Sequence, residues 1–135
     1  MAEVNLINVA TIIPSNIGFN LTNATNSKLI TPATDKVIKI NTITVANVDE
    51  TNDATIDLYV DGMGTGGTGT TSTGTGYLTA DATVYIAKGV NVPAGSTLVL
   101  LSSPIYLMEA DILSGGTDNA SDLDLFISYE VLDDA

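Results

Sequence analysis

The sequence predicts an all-β fold, an antiparallel β-sandwich or jelly roll of about eight short strands with no substantial helix. Three observations carry this. Two segments alternate apolar and polar residues without a slip: Ile56, Leu58 and Val60 against Thr55, Asp57, Tyr59 and Asp61, and Leu123, Leu125, Ile127, Tyr129 and Val131 against Asp122, Asp124, Phe126, Ser128 and Glu130. A period of two marks a strand with one buried face. Clusters of Gly, Pro, Asp and Asn separate such runs, and no segment sustains apolar residues at helical spacing. A single sheet would leave half of the apolar residues in water, so two layers are expected. Ile56, Leu58, Val60, Leu98, Leu100, Leu123, Leu125, Ile127 and Tyr129 are expected to line one shared interior.

In chain order, residues 4–13 are apolar enough for a strand, but Val4 and Leu6 occupy one parity and Ile7 and Val9 the other. Such weak register suits an edge strand, or an arm of residues 1–13 that pairs with a neighbouring subunit. Pro14-Ser15-Asn16 is expected to end it, residues 20–27 read as a loop, and Leu29-Ile30-Thr31 as a short strand before the turn Pro32-Ala33-Thr34-Asp35. Residues 37–62 organise the chain. A β-branched run over 37–48 and the alternating run Ala54–Asp61 flank the polar connection Asp49-Glu50-Thr51-Asn52-Asp53, a normal hairpin length, so the two are expected to pair antiparallel. The apolar parity switches from Ile38 and Ile40 to Ile43 and Val45, which predicts a bulge near Asn41-Thr42 or a bend between two sheets.

Residues 62–76 hold seven of the twelve glycines, with Thr and Ser making up most of the rest, and have little to bury. They read as a loop. The glycine spacing hints at a phosphate loop, yet no lysine follows and no helical pattern opens after it, which argues against nucleotide binding. Strand character resumes at residues 83–87 and 90–92, then Pro93-Ala94-Gly95-Ser96 makes a turn. Residues 96–101 form an apolar strand, Pro104 breaks it, Ile105-Tyr106-Leu107 restarts it, and Glu109-Ala110-Asp111 turns into Ile112-Leu113. Residues 115–119 read as another turn, and residues 132–135 as a fraying acidic tail.

A chain of 135 residues is about one domain, large enough for a real core. It contains no cysteine, histidine, tryptophan or arginine. Disulfides, thiolate or imidazole metal ligation, and Ser-His-Asp or Cys-His catalysis are therefore excluded, and the expectation is a non-enzymatic protein without a cofactor. Sixteen acidic residues against four lysines give a formal net charge of −12, which repels nucleic acid and anionic membranes. Nothing at the N-terminus resembles a secretory signal and no apolar run reaches membrane-span length, so synthesis in the cytoplasm is expected. Eleven of the sixteen acids lie in residues 49–61 and 118–134. Asp49, Glu50 and Asp53 crowd one turn, and Asp118, Asp122 and Asp124 another, each offering hard oxygen ligands of the kind calcium takes, though neither has the spacing of an EF-hand.

Several stretches together resemble a known family. Pro32-Ala33-Thr34-Asp35-Lys36, a strand ending in Val45-Ala46-Asn47, the strand Thr55-Ile56-Asp57-Leu58-Tyr59-Val60, the turn Val92-Pro93-Ala94-Gly95-Ser96-Thr97, and an apolar run to Glu109-Ala110-Asp111 are similar to the small β-sandwich virion proteins of tailed bacteriophages, which are decoration, fibre-base or tail accessory proteins. The resemblance spans residues 29–131. Thr34-Asp35 stands where that pattern has glycine, Glu109-Ala110-Asp111 replaces Ala-Gly-Asp, and residues 62–76 are an insertion. It implies a multi-copy structural protein with no catalytic residues: a capsid decoration or cement protein acting as a symmetric oligomer on the major capsid protein, or else a neck, tail or fibre accessory protein. A carbohydrate-binding or adhesive module is the competing expectation. Val4, Leu6 and Val9 in the N-terminal segment, and Thr68, Thr70 and Thr71 in the glycine-rich loop, are the expected interface residues.

Overall fold

The computed structural model describes residues 9–23, 27–61, 83–109 and 111–134. Among the described residues nine strands run in chain order: β1 (Val9–Asn20), β2 (Ser27–Ile30), β3 (Lys36–Asn47), β4 (Ala54–Asp61), β5 (Thr83–Val92), β6 (Thr97–Leu101), β7 (Ile105–Leu107), β8 (Ile112–Thr117) and β9 (Leu123–Asp134). No helix occurs among the described residues. One sheet has the order β1-β9-β3-β6, with β7 also paired to β3, and the other has the order β2-β8-β4-β5. Every pairing is antiparallel. Since β6 and β7 are successive halves of one edge strand interrupted at Pro104, this is the eight-strand order of a jelly roll, a sandwich of two Greek keys.

The inner faces meet in one core. Ile40, Ile43 and Val45 of β3, Ile56 and Leu58 of β4, Leu113 of β8, and Leu123, Leu125 and Ile127 of β9 are almost completely withdrawn from water. Burial of each such side chain contributes roughly 1.5–3 kcal/mol. The expected interior is present: Ile56, Leu58, Val60, Leu123, Leu125 and Ile127 are buried, while Leu98, Leu100 and Tyr129 pack against the margin. The parity switch in β3 is a bulge. The register against β9 shifts between Ile40 and Thr42, and the extra residue returns Ile43 and Val45 to the core side.

Several expectations are corrected. β3 and β4 do not pair; they lie in different sheets and face each other across the core. Sheets stack about 10 Å apart, and a six-residue link spans that gap as easily as it closes a hairpin, so loop length alone does not choose between them. Pro14 does not end the first strand: β1 runs through it, paired with β9 as far as Asn20↔Asp124. The position is permitted because β1 is a sheet edge, where one flank needs no donor. Gly115, Gly116 and Thr117 are buried strand residues rather than a turn. A Cβ at Gly115 would collide with the Asp57 carbonyl oxygen, so glycine there lets β4 and β8 approach. The expected fraying does not hold for residues 132–134, since β9 continues to Asp134, Leu132 is buried, and Lys36 Nζ pairs with Asp133 Oδ2 at 2.5 Å.

Asp35 has φ = 59°, the left-handed conformation that favours glycine. The short polar side chain tolerates this conformation.

Candidate functional site

The acids of the two crowded turns, Asp49, Asp53, Asp118 and Asp124 among them, gather at one end of the sandwich, where the β3–β4 and β8–β9 connections and the β5–β6 turn meet, while Asp61 and Asp133 lie toward the other end. Asn47, the last residue of β3, is buried there. Its Nδ2 donates to Asn52 O (2.9 Å) and Val92 O (3.0 Å), and its Oδ1 accepts from Asp49 N (2.9 Å). Asp49 Oδ1 accepts from the backbone N–H of Thr51 (2.7 Å) and Asn52 (3.2 Å), and its Oδ2 from Asn52 Nδ2 (3.1 Å). Asp53 accepts from Ala94 N (3.0 Å) and Asn91 Nδ2 (3.1 Å), tying the link to the β5–β6 turn. Asp118 Oδ1 accepts from Thr55 N (2.7 Å), and Asp124 Oδ1 from Asn20 Nδ2 (2.7 Å).

These carboxylates act as latches. The Thr51 N–H, then the Asn52 amide and N–H, hold Asp49 below the usual carboxylate pKa, and the Ala94 N–H with the Asn91 amide does the same for Asp53. Of the calcium candidates, Asp49, Asp53, Asp118 and Asp124 aim oxygens at protein N–H groups, while Glu50 is exposed on its turn and Asp122 is half-buried. Among the described residues no three of these acids converge on a point where a metal ion would sit.

The outer faces differ. On the β1-β9-β3-β6 sheet, register aligns Gly18, Phe126, Thr44 and Val99 in one row across four strands, with Phe126 and Val99 at least half exposed. Ile12 and Ile13 of the edge strand β1 are also exposed. Val9, an expected interface residue, is half-buried at the start of β1; Val4, Leu6, Thr68, Thr70 and Thr71 lie outside the described residues. On the other sheet, Tyr59 and Tyr85 pack with their rings tilted by 48° and centroids 5.1 Å apart. Lys88 Nζ stands 4.6 Å above the Tyr85 ring and 3.8 Å from Asp57 Oδ2. Asp57 Oδ1 also accepts from Gly89 N (2.6 Å), so the β5 irregularity at Gly89, φ = 58°, is pinned to β4. The Tyr85 hydroxyl and the Asp57 charge raise the Lys88 pKa.

Crevices open on both flanks where the sheets part. One of about 320 Å³ lies beside β1 and β2, lined by Ile17, Leu29, Ile38, Tyr129 and Val131 with Lys36 at its side. The other, about 220 Å³, lies between β5 and β7 and includes Asp111 in its wall. Asp111 and Met108 bracket the turn after β7: Asp111 N donates to Met108 O (3.0 Å), and Met108 N donates to Asp111 Oδ2 (2.9 Å). Asp111 Oδ1 is buried without a partner among the described residues, and burial raises the pKa, offset in part by the Met108 N–H.

Sequence reasoning missed Asn47, Asp111 and the Tyr59–Tyr85 pair. Only the last left a signal, since Tyr59 alternates outward in the clearest strand. The chain matches no protein-family model and no curated protein.

Proposed function

We propose that this protein is a non-enzymatic structural component of a bacteriophage virion, a decoration or cement protein that works as a symmetric oligomer on the capsid and is made in the host cytoplasm. The observation that carries the reading is the strand order, because two-Greek-key jelly rolls recur in viral capsid proteins and lectins. This is support by analogy of fold, joined to the resemblance of the turn and strand sequences. The surface adds to it. Among the described residues the twelve-residue strand β1 has main-chain groups unpaired along one flank, and the Phe126–Val99 row offers apolar area on the adjoining face. Edge pairing and apolar patches are how such domains build symmetric contacts. A neck, tail or fibre position would use the same surfaces.

A carbohydrate-binding module is the second reading, favoured by the Tyr59–Tyr85 pair on the opposite face. Sedimentation velocity separates the two. A particle component sediments as a closed oligomer, and deletion of residues 1–8, which leaves β1 whole, weakens assembly without lowering the melting temperature. A monomer that binds a glycan array, and loses binding on Tyr85→Ala, establishes the second reading instead.

A further inference from the structure

The crevice between β5 and β7 joins an aliphatic wall to a buried carboxylate. Val60, Val84, Ile86, Ile105 and Leu107 supply the wall, and Asp111, only 3% exposed, is set into it. The turn after β7 uses one carboxylate oxygen, Oδ2, to accept the Met108 N–H, a task asparagine or serine would perform as well. The other oxygen has no hydrogen-bond partner among the described residues. None of the four lysines pairs with it; Lys36 is engaged with Asp133 and Lys88 with Asp57. A buried polar atom in this condition costs the fold its lost hydration, so a group that completes it gains accordingly.

We propose that this crevice receives a lysine side chain of a partner protein, whose ammonium group pairs with Asp111. Lysine matches both parts of the site, with four methylenes for the aliphatic wall and a compact cationic donor for one free oxygen. Arginine matches less well, because its planar fork seeks two acceptor oxygens and Oδ2 is already taken. The volume, about 220 Å³, falls below the roughly 300–1,000 Å³ of sites for drug-sized ligands and suits a single side chain. The net charge of −12 draws a basic partner to the surface. Oδ1 is closed to water in the free molecule, so the rim gives way as the ammonium enters. Tyr106, 47% exposed in the three-residue strand β7, lines the same crevice and is the exposed part of its rim.

The test is a methyl NMR titration of the intact protein with three capped tripeptides, Gly-Lys-Gly, Gly-norleucine-Gly and Gly-Arg-Gly. The lysine peptide is expected to shift the methyl signals of Val84, Ile86 and Ile105 and to bind about tenfold more tightly than the norleucine peptide, the difference a charge-assisted hydrogen bond makes. It should also outbind the arginine peptide. Asp111→Asn should abolish the preference for lysine while signals elsewhere stay in place. Equal binding of lysine and norleucine peptides, a preference for arginine, or shifts confined to the acidic loops would overturn the proposal. The wild-type comparison decides the matter even if the variant fails to fold.

Discussion

Asn47→Ala should be among the most damaging polar substitutions in this protein. The side chain is 4% exposed and makes three hydrogen bonds that join β3, the β3–β4 link and the end of β5. In the alanine variant, Asn52 O on the exposed link finds water, but Val92 O and Asp49 N lose their partner in or near the interior. Two such groups at about 1–3 kcal/mol each, partly relieved at Asp49 by solvent, give an expected loss of about 2–4 kcal/mol. Asn47→Asp retains the acceptor for Asp49 N and turns a carboxylate oxygen toward two carbonyl oxygens. It should cost at least as much at neutral pH, with the deficit narrowing as acid neutralises the new carboxylate. Urea unfolding followed by circular dichroism measures both, provided the m-value is unchanged. A loss below about 0.5 kcal/mol for the alanine variant, or an aspartate variant as stable as wild type, would refute the role of Asn47 as the corner pin.

Three further outcomes are expected. Leu125→Ala should cost about 2–5 kcal/mol in the same unfolding assay and Asp124→Ala less than about 1, since one faces the core and the other makes a single exposed hydrogen bond. Asp35→Gly should be neutral within about 0.5 kcal/mol while Asp35→Val loses about 1–2, because φ = 59° suits glycine and penalises a β-branched residue. The pH dependence divides by sign. Asp49 and Asp53, with lowered pKa values, contribute stability that is present above the ordinary carboxylate value of 3.8 and lost as pH falls through their folded values. Asp111 is raised, so its contribution is present below 3.8 and lost as pH rises through the folded value; Asp111→Asn should therefore raise the melting temperature at pH 7 and not at pH 3.

What the sequence revealed follows from the range of each signal. β4 and β9 were legible because one face of each is buried along most of its length, and a period of two survives in the residue order. The bulge in β3 was legible as the parity switch between Ile40 and Ile43. The partner of β4 was not, because alternation says which face is buried and nothing about which strand lies beside it. β8 was hidden by its composition: Gly115 is there for a close approach to the Asp57 backbone, and glycine reads as a turn unless that neighbour is known. Acid counting located the turns at the crowded end but suggested ion ligands, whereas Asp53 and Asp118 reach N–H groups far along the chain, at Ala94 and Thr55. Asp111 carried no local mark, since its burial comes from strands remote in sequence.

The proposed role as a multi-copy virion component is tested most directly by a quantitative mass-spectrometric census of purified, salt-washed phage particles from a lysate in which this protein is made. A decoration or cement protein is expected there on the order of tens to hundreds of copies per particle, in fixed proportion to the major capsid protein, as symmetric assembly requires. Its absence from washed particles, with the protein recovered free in the lysate, would contradict the role.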